Sequence, residues 1–153
     1  MYKLNITVVC VANFCRSPVA HYLLNDYLNE SYKVSSAGII DFNKSHMDKR
    51  SEKFLSENGI ENIKHVTRRL TMKIVNNSTI IFAMDNKIVK KIIETFPQAA
   101  SKIKLLNETE FYDPISLKSN SDYSIIMKQI KHAAQEASKK LNSLVVWNII
   151  YCI

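Results

Sequence analysis

Hydrophobic positions along the chain alternate between strand-like runs and helix-like stripes. Residues 3–10 turn fully apolar towards their end, and Thr79–Met84 forms a second apolar run; both patterns are typical of buried strands. Shorter apolar segments at Tyr32–Ala37 and Ile103–Leu106 predict two more strands. Because strand patterns alternate with helix patterns, we expect a parallel sheet with helices on both faces.

Helix signals lie between the strands. After the first strand, Ser17-Pro18 precedes an amphipathic stripe, so Ser17 is expected to cap a helix and Pro18 to begin it. Further helices are predicted over 48–58, closed by Gly59, over 85–95 and over 122–141. Ligands of open parallel sheets bind beyond the carboxyl ends of the strands, so the loop after the first strand is the first candidate site.

Composition narrows the class of protein. The chain has 153 residues, 46% of them hydrophobic, which predicts one globular domain. Three cysteines are too few for a secreted disulfide framework, and we find no signal-peptide or membrane-span pattern, so a cytoplasmic protein without a membrane partner is expected. The net charge of +7 favours anionic ligands. Its lysines are scattered, which argues against nucleic acid as a partner.

The last ten residues of the sequence, 144–153, are LVVWNIIYCI. This apolar run is too short to span a bilayer. We therefore divide the chain into a domain over residues 1–143 and an apolar extension over 144–153, for which an added edge strand, a flap and a dimer contact are the alternatives.

The loop that follows the first strand carries a cysteine and, six residues later, an arginine. Loop and helix N–H groups can cradle an oxyanion, and the Arg16 guanidinium suits two phosphate oxygens. A free thiol is only about 3% thiolate at pH 7, so this positive field, with a hydrogen bond from Ser17, would favour the attacking form of Cys10. The pattern predicts a phosphocysteine intermediate that water cleaves. By itself it also fits small buried cysteines.

Attack on a phosphate monoester also needs an acid to protonate the leaving oxygen. Asp113-Pro114 is the one Asp-Pro pair of the chain, and the proline would stiffen the loop that aims the carboxyl group. An ordinary Asp-Pro turn is the alternative interpretation. Together with the cysteine loop, the pair favours Asp113 as the acid.

These residues resemble the low-molecular-weight protein tyrosine phosphatases over most of residues 4–141. The stretch CVANFCRSP at residues 10–18 matches the family's loop. Similar features follow in the family's order: Ser36-Ala37-Gly38, Asp48-x-Arg50, His65 with Arg68, Met84-Asp85 and Asp113-Pro114. The resemblance implies a single three-layer α/β domain with a four-stranded parallel sheet in the flavodoxin-like order 2-1-3-4.

The resemblance also implies roles. Cys10 would be the nucleophile, Arg16 the phosphate clamp, and Asp113 the general acid and later the base. Asn13, Ser17, Ser36 and His65 would form a supporting hydrogen-bond network, and Cys15 would pair reversibly with Cys10 under oxidation. The phosphate-binding loop would comprise Val11, Ala12, Asn13, Phe14, Cys15, Arg16 and Ser17.

The chain departs from the family pattern at several positions. Ala12 stands where the family usually has glycine, and at positive φ an alanine would cost about 1 kcal/mol. Ile115 and Ser116 follow Asp113-Pro114, where the family commonly carries aromatic residues. We assign the wall of the substrate site to Phe42, Tyr112 and Ile115.

The expected function is hydrolysis of aryl phosphate monoesters, with a phosphotyrosine protein or a small aryl phosphate as substrate and inorganic phosphate as product. The four histidines show no close zinc-ligand spacing, so no metal or other cofactor is expected. A monomer or weak dimer is predicted. Arsenate reduction on the same fold and a phosphate-binding module without turnover are the alternatives.

Overall fold

Four parallel strands pair in the order β2-β1-β3-β4, which confirms the predicted sheet. The strands are β1 (Leu4–Cys10), β2 (Tyr32–Gly38), β3 (Ile80–Ala83) and β4 (Ile103–Leu105). The computed structural model describes residues 3–150, and the side chains of residues 3–144. The interior strand β1 is apolar because both its faces are covered; Ile6, Val8 and Val9 are fully buried.

The described residues form five α-helices, and helices lie on both faces of the sheet as predicted. They are α1 (Arg16–Tyr27), α2 (Lys49–Glu57), α3 (Met72–Asn77), α4 (Asn86–Thr95) and α5 (Asn120–Ile150). α1 packs against α2 and α5, whereas α4 packs against β3 and β4. Right-handed crossovers place helices that lead to opposite edges of the sheet on opposite faces.

The start of α1 differs from the prediction. The helix begins at Arg16, Cys15 occupies the N-cap position, and no side chain caps the helix. Ser17 is therefore not the cap. Its hydroxyl lies 3.0 Å from the Cys10 sulfur instead, so a contact with the end of β1 replaces the capping bond within the helix.

The last helix is longer than predicted. α5 runs to Ile150, so an added edge strand is wrong for residues 144–150. A short apolar run rich in β-branched residues fits a strand or a helix equally well, and here continuity with the preceding helix decides. Residues 151–153, including Cys152, lie outside the described residues. In the described part of the chain, no helix carries an apolar stretch long enough to cross a bilayer.

Candidate active site

The segment between Cys10 and Arg16 forms a tight loop that joins β1 to α1. Cys10 ends β1 and is 3% exposed, and Arg16 begins α1 and is 1% exposed. Asn13 takes the left-handed conformation, with φ +56°, which asparagine tolerates better than most residues. Ala12 is outside that region, so the strain considered for an alanine at this position does not arise.

Gly38, at the end of β2, lets this loop lie against the sheet. A Cβ atom at Gly38 would sit 2.7 Å from the Val11 carbonyl oxygen and 2.8 Å from the Asn13 nitrogen. The neighbouring Ile39 and Ile40 donate their N–H groups to the Cys10 and Val11 carbonyls at 3.1 and 3.0 Å. Only a glycine fits this close backbone approach.

The four predicted network residues meet behind the cysteine. The Asn13 side-chain amide donates to Ser17 Oγ and to Ser36 Oγ, each at 2.9 Å, and Ser17 Oγ lies 3.0 Å from Cys10 Sγ. His65 Nε2 donates to the Asn13 carbonyl at 2.8 Å. Because these polar groups are buried, their bonds are costly to break and hold the loop in one geometry.

Arg16 donates to three acceptors from two separate segments. Its Nη1 donates to Asp85 Oδ2 at 3.0 Å and to the Phe111 carbonyl at 3.1 Å, and its Nη2 donates to Asp113 Oδ2 at 3.0 Å. Asp85 also caps α4 by accepting from Ile88 N–H at 2.8 Å. The planar guanidinium is thus fixed by charge-assisted bonds at the carboxyl edge of the sheet.

Asp113 contacts Arg16 although the two residues are 97 positions apart in the chain. The aspartate precedes a short 3₁₀ turn, Pro114–Ser116, and accepts from the Ile115 N–H at 3.3 Å. Its side chain is 38% exposed. The structure therefore brings Asp113 to Arg16, which ends the loop that begins at Cys10.

A cleft of about 570 Å³ opens beside Arg16 and Asp113. Tyr112 and Ile115 line it together with Ile39, and charged side chains, Lys87 and Glu110 among them, line it as well. Phe42, the third residue assigned to the wall, packs on Phe14 of the loop, with ring centroids 4.8 Å apart. Phe42 thus supports a loop residue in this structure.

Cys15 is the second cysteine of the loop. It is buried, and burial, followed by the nearby Asp48 carboxylate, raises the pKa of its thiol to about 12. Its Sγ lies 3.8 Å from Asp48 Oδ2, to which it donates. Cys15 is accordingly a neutral thiol that packs the back of the loop.

Asp48 and Arg50 form an ion pair, named the brace below. The motif Asp48-x-Arg50 by itself indicates no role for either residue. Arg50 donates to both Asp48 oxygens through Nε and Nη2, at 3.1 and 2.9 Å, and to the Leu117 carbonyl through Nη1 at 2.6 Å. Burial opposes ionisation of Asp48, but these bonds outweigh it and lower its pKa. Asp48 N–H also donates to the Phe14 carbonyl at 3.0 Å. The brace links the phosphate loop to the segment that carries Asp113.

Asp85 and Arg68 are further site residues that sequence reasoning left without a role. Arg68 donates its backbone N–H to Asn13 Oδ1 at 3.1 Å and its Nε to the Ser36 carbonyl at 2.8 Å. Asp85 and Arg68 belong to motifs of the family resemblance, but a motif does not reveal which group a side chain contacts. Within the described residues, no three His, Cys, Asp or Glu side chains are grouped so that they could hold a metal ion.

The sequence of the chain matches a known protein family. The family model described as "Low molecular weight phosphotyrosine protein phosphatase" matches residues 5–145. The low molecular weight protein-tyrosine-phosphatase Etp of Escherichia coli is 30% identical over 142 residues, covering 90% of this chain and 95% of that protein. Wzb of the same organism is 29% identical over 143 residues, covering 91% and 96%.

Solved structures of phosphatases share the fold of this chain. YwlE arginine phosphatase from Geobacillus stearothermophilus superposes with a TM-score of 0.88 at 26% identity, covering 94% of this chain and 96% of that one. Vibrio vulnificus Wzb in complex with benzylphosphonate gives a TM-score of 0.83 at 26% identity, covering 90% and 99%.

Proposed function

Because the chain belongs to the low molecular weight phosphotyrosine protein phosphatase family, we propose that it hydrolyses aryl phosphate monoesters, phosphotyrosine in proteins above all. The observation that carries the proposal is the 3.0 Å contact between the buried Arg16 clamp and the Asp113 carboxylate. This contact puts an acid beside the group that would hold the phosphate over Cys10.

The first chemical step forms a bond between sulfur and phosphorus. The Cys10 thiolate, stabilised by the Ser17 hydroxyl, attacks the phosphorus while Arg16 and the loop N–H groups hold the equatorial oxygens. The bond from phosphorus to the ester oxygen breaks. Asp113 in its protonated form gives its proton to that oxygen, so a neutral phenol leaves.

The second step returns the enzyme to its starting form. A water molecule attacks the phosphocysteine, and the Asp113 carboxylate takes a proton from this water. The bond from sulfur to phosphorus breaks, the Cys10 thiolate is regenerated, and inorganic phosphate leaves. The same carboxyl group thus serves as acid and then as base.

The cleft supplies apolar contacts for an aryl ring, and its carboxylates are only in part occupied. Beside Asp113, Asp85 is bound to Arg16, whereas Glu110 accepts the Asn86 N–H at 2.8 Å through Oε1 and could still bind a phosphoarginine guanidinium. An aromatic ring would pack against Ile39, Tyr112 and Ile115. Phosphoarginine is the comparison substrate to test, since one structural relative is an arginine phosphatase.

Neither alternative function receives support. The family match and the relatives named above describe phosphatases, and an intact set of Cys10, Arg16 and Asp113 argues against a module without turnover. We place the catalytic unit in residues 1–143. A reducing compartment such as the cytoplasm suits this mechanism because Cys10 must remain a free thiolate.

The test is turnover of p-nitrophenyl phosphate, a phosphotyrosine peptide and a phosphoarginine peptide by the wild type, Cys10→Ser and Cys152→Ser. We expect near-total loss of activity in Cys10→Ser, wild-type rates in Cys152→Ser, and a phosphorylated Cys10 peptide by mass spectrometry after rapid quenching. Full activity in Cys10→Ser would contradict the covalent mechanism. Faster turnover of the phosphoarginine peptide would reverse the substrate assignment.

A further inference from the structure

His21 lies at the far end of the hydrogen-bond network that begins at the Cys10 sulfur. It sits on α1 and projects toward β2, where its Nδ1 is 3.2 Å from Ser36 Oγ. Its ring stacks on Tyr22 with centroids 4.7 Å apart, which fixes the ring plane. The sequence pattern gives this histidine no role, and the reaction steps above do not use it.

The hydrogen bonds of the network run in a defined donor-to-acceptor direction. Asn13 Oδ1 accepts from the Arg68 N–H, so the Asn13 amide nitrogen faces the two serines and spends one proton on each. Each serine oxygen therefore accepts once and has its own proton left to donate. Ser17 lies 3.0 Å from the Cys10 sulfur, and Ser36 lies 3.2 Å from the His21 nitrogen.

The direction requires an unprotonated Nδ1 on His21. A proton there would leave the Ser36 hydroxyl, which is 3% exposed, without its acceptor. Burial, then the positive charges of His65 and Arg68, lower the pKa of His21 to about 4. These two groups face it from the segment between α2 and α3, Tyr22 faces it from α1, and β2 presents the Ser36 hydroxyl.

The two imidazoles at the network, His21 and His65, have opposite hydrogen-bonding roles. His65 is a donor to the Asn13 carbonyl, whereas His21 is the acceptor that ends the chain of hydroxyls. We propose that His21 is a positioning residue for the nucleophile: its neutral Nδ1 accepts from Ser36 and thereby keeps Asn13 and Ser17 oriented so that Ser17 donates to the Cys10 thiolate. The inference rests on the proposed role of Cys10.

The experiment compares His21→Leu, which removes the acceptor, with His21→Asn, whose Oδ1 can replace it, in the full chain. The readouts are the pH midpoint of Cys10 alkylation by iodoacetate, followed by mass spectrometry, and the pH profile of kcat/KM for p-nitrophenyl phosphate. For His21→Leu we expect the midpoint to rise by about 0.5 to 1 pH unit and kcat/KM at pH 6 to fall about three- to tenfold. His21→Asn should stay within about twofold of wild type.

A double-mutant cycle keeps the test valid if His21→Leu also destabilises the protein. In a Ser36→Ala background, His21 Nδ1 has no Ser36 hydroxyl from which to accept a hydrogen bond. His21→Leu should therefore not move the alkylation midpoint further. An unchanged midpoint in His21→Leu, or equal shifts in both backgrounds, would overturn the inference. Alkylation requires no turnover, so failure of the wild type to hydrolyse phosphate would count against the proposed function alone.

Discussion

The phosphate loop, residues 10–17, and the acid segment, residues 107–119, differ in how they are held. The loop side chains that do chemistry are buried; Cys10, Asn13, Arg16 and Ser17 are each at most 3% exposed. The acid segment has 63% exposed Tyr112 and 46% exposed Ile115, and its regular structure is one short 3₁₀ turn. The proposed oxyanion site thus consists of buried side chains, whereas the proposed acid lies on a surface segment.

This contrast matches two different demands of the reaction. Donors that stabilise the transition state act best when their positions are fixed in advance, as in the loop. The acid segment, by comparison, is tied at a few points: Phe111 N–H donates to the Met84 carbonyl at 3.3 Å, and Arg16 and Arg50 donate to the Phe111 and Leu117 carbonyls. Changes in the loop should therefore affect stability and activity together, whereas changes in the acid segment should affect activity more than stability.

The largest effect is expected at the acid itself. Asp113→Ala should lower kcat/KM about 10²- to 10⁴-fold because no group then protonates the leaving oxygen. Asp113 is partly exposed but bonds to the buried Arg16, so the melting temperature should fall as well, by less than in a variant of the buried loop. Steady-state kinetics on p-nitrophenyl phosphate and phenyl phosphate, with a thermal melt, measure both.

A control separates proton transfer from geometry. Asp113→Asn keeps an oxygen that can accept from Arg16 but has no acidic proton, so its loss should approach that of Asp113→Ala. In both variants the deficit should be greater for phenyl phosphate, whose leaving group is the stronger base. An equal deficit for the two substrates would argue against Asp113 as the acid.

The next effect concerns the two glycines of the chain. Gly38→Ala should force the phosphate loop backbone aside, costing about 1–3 kcal/mol of unfolding free energy. A displacement of that kind can lower kcat/KM by about 10²-fold. Denaturant unfolding and steady-state kinetics on the same preparation would show whether stability and activity fall together.

Gly59→Ala is the matched control. Gly59 has φ +82° with nothing within 4 Å of a Cβ atom, so alanine there should cost about 1 kcal/mol by conformational strain. Its kcat/KM should remain at the wild-type value. If Gly38→Ala retained full activity, close packing of the loop on β2 would not be what positions it.

The smallest effect is expected at the brace between the two regions. Arg50→Met removes the bond to the Leu117 carbonyl, so the acid segment loses one of its anchors and kcat should fall about three- to tenfold. Lys53→Met, a second cation on α2 that pairs only with exposed Glu57 in the described structure, should be neutral. Equal kcat values for the two variants would show that the acid segment needs no brace.

The element order and the loop chemistry could be predicted because their signals are local. The end of a strand, its cysteine and an arginine six positions later at a helix start lie in one short stretch, and Gly59 and Asp48 mark the ends of α2 within a few residues. The six-residue α3 was missed because MKIVNN is too short to show helical periodicity. The cap of α1 was misassigned because Ser17 bonds to Cys10 rather than to its own helix.

The sequence alone determined which residues could attack, clamp and donate a proton, because those abilities belong to side-chain chemistry and to short spacings. Tertiary structure decided which partners hold them: Asp85 on Arg16, Arg50 on the acid segment, Arg68 on Asn13, and His21 on Ser36. These partners come from segments far apart in the chain or from neighbouring faces. Which buried donor meets which acceptor depends on how whole elements pack, and no local pattern contains that information.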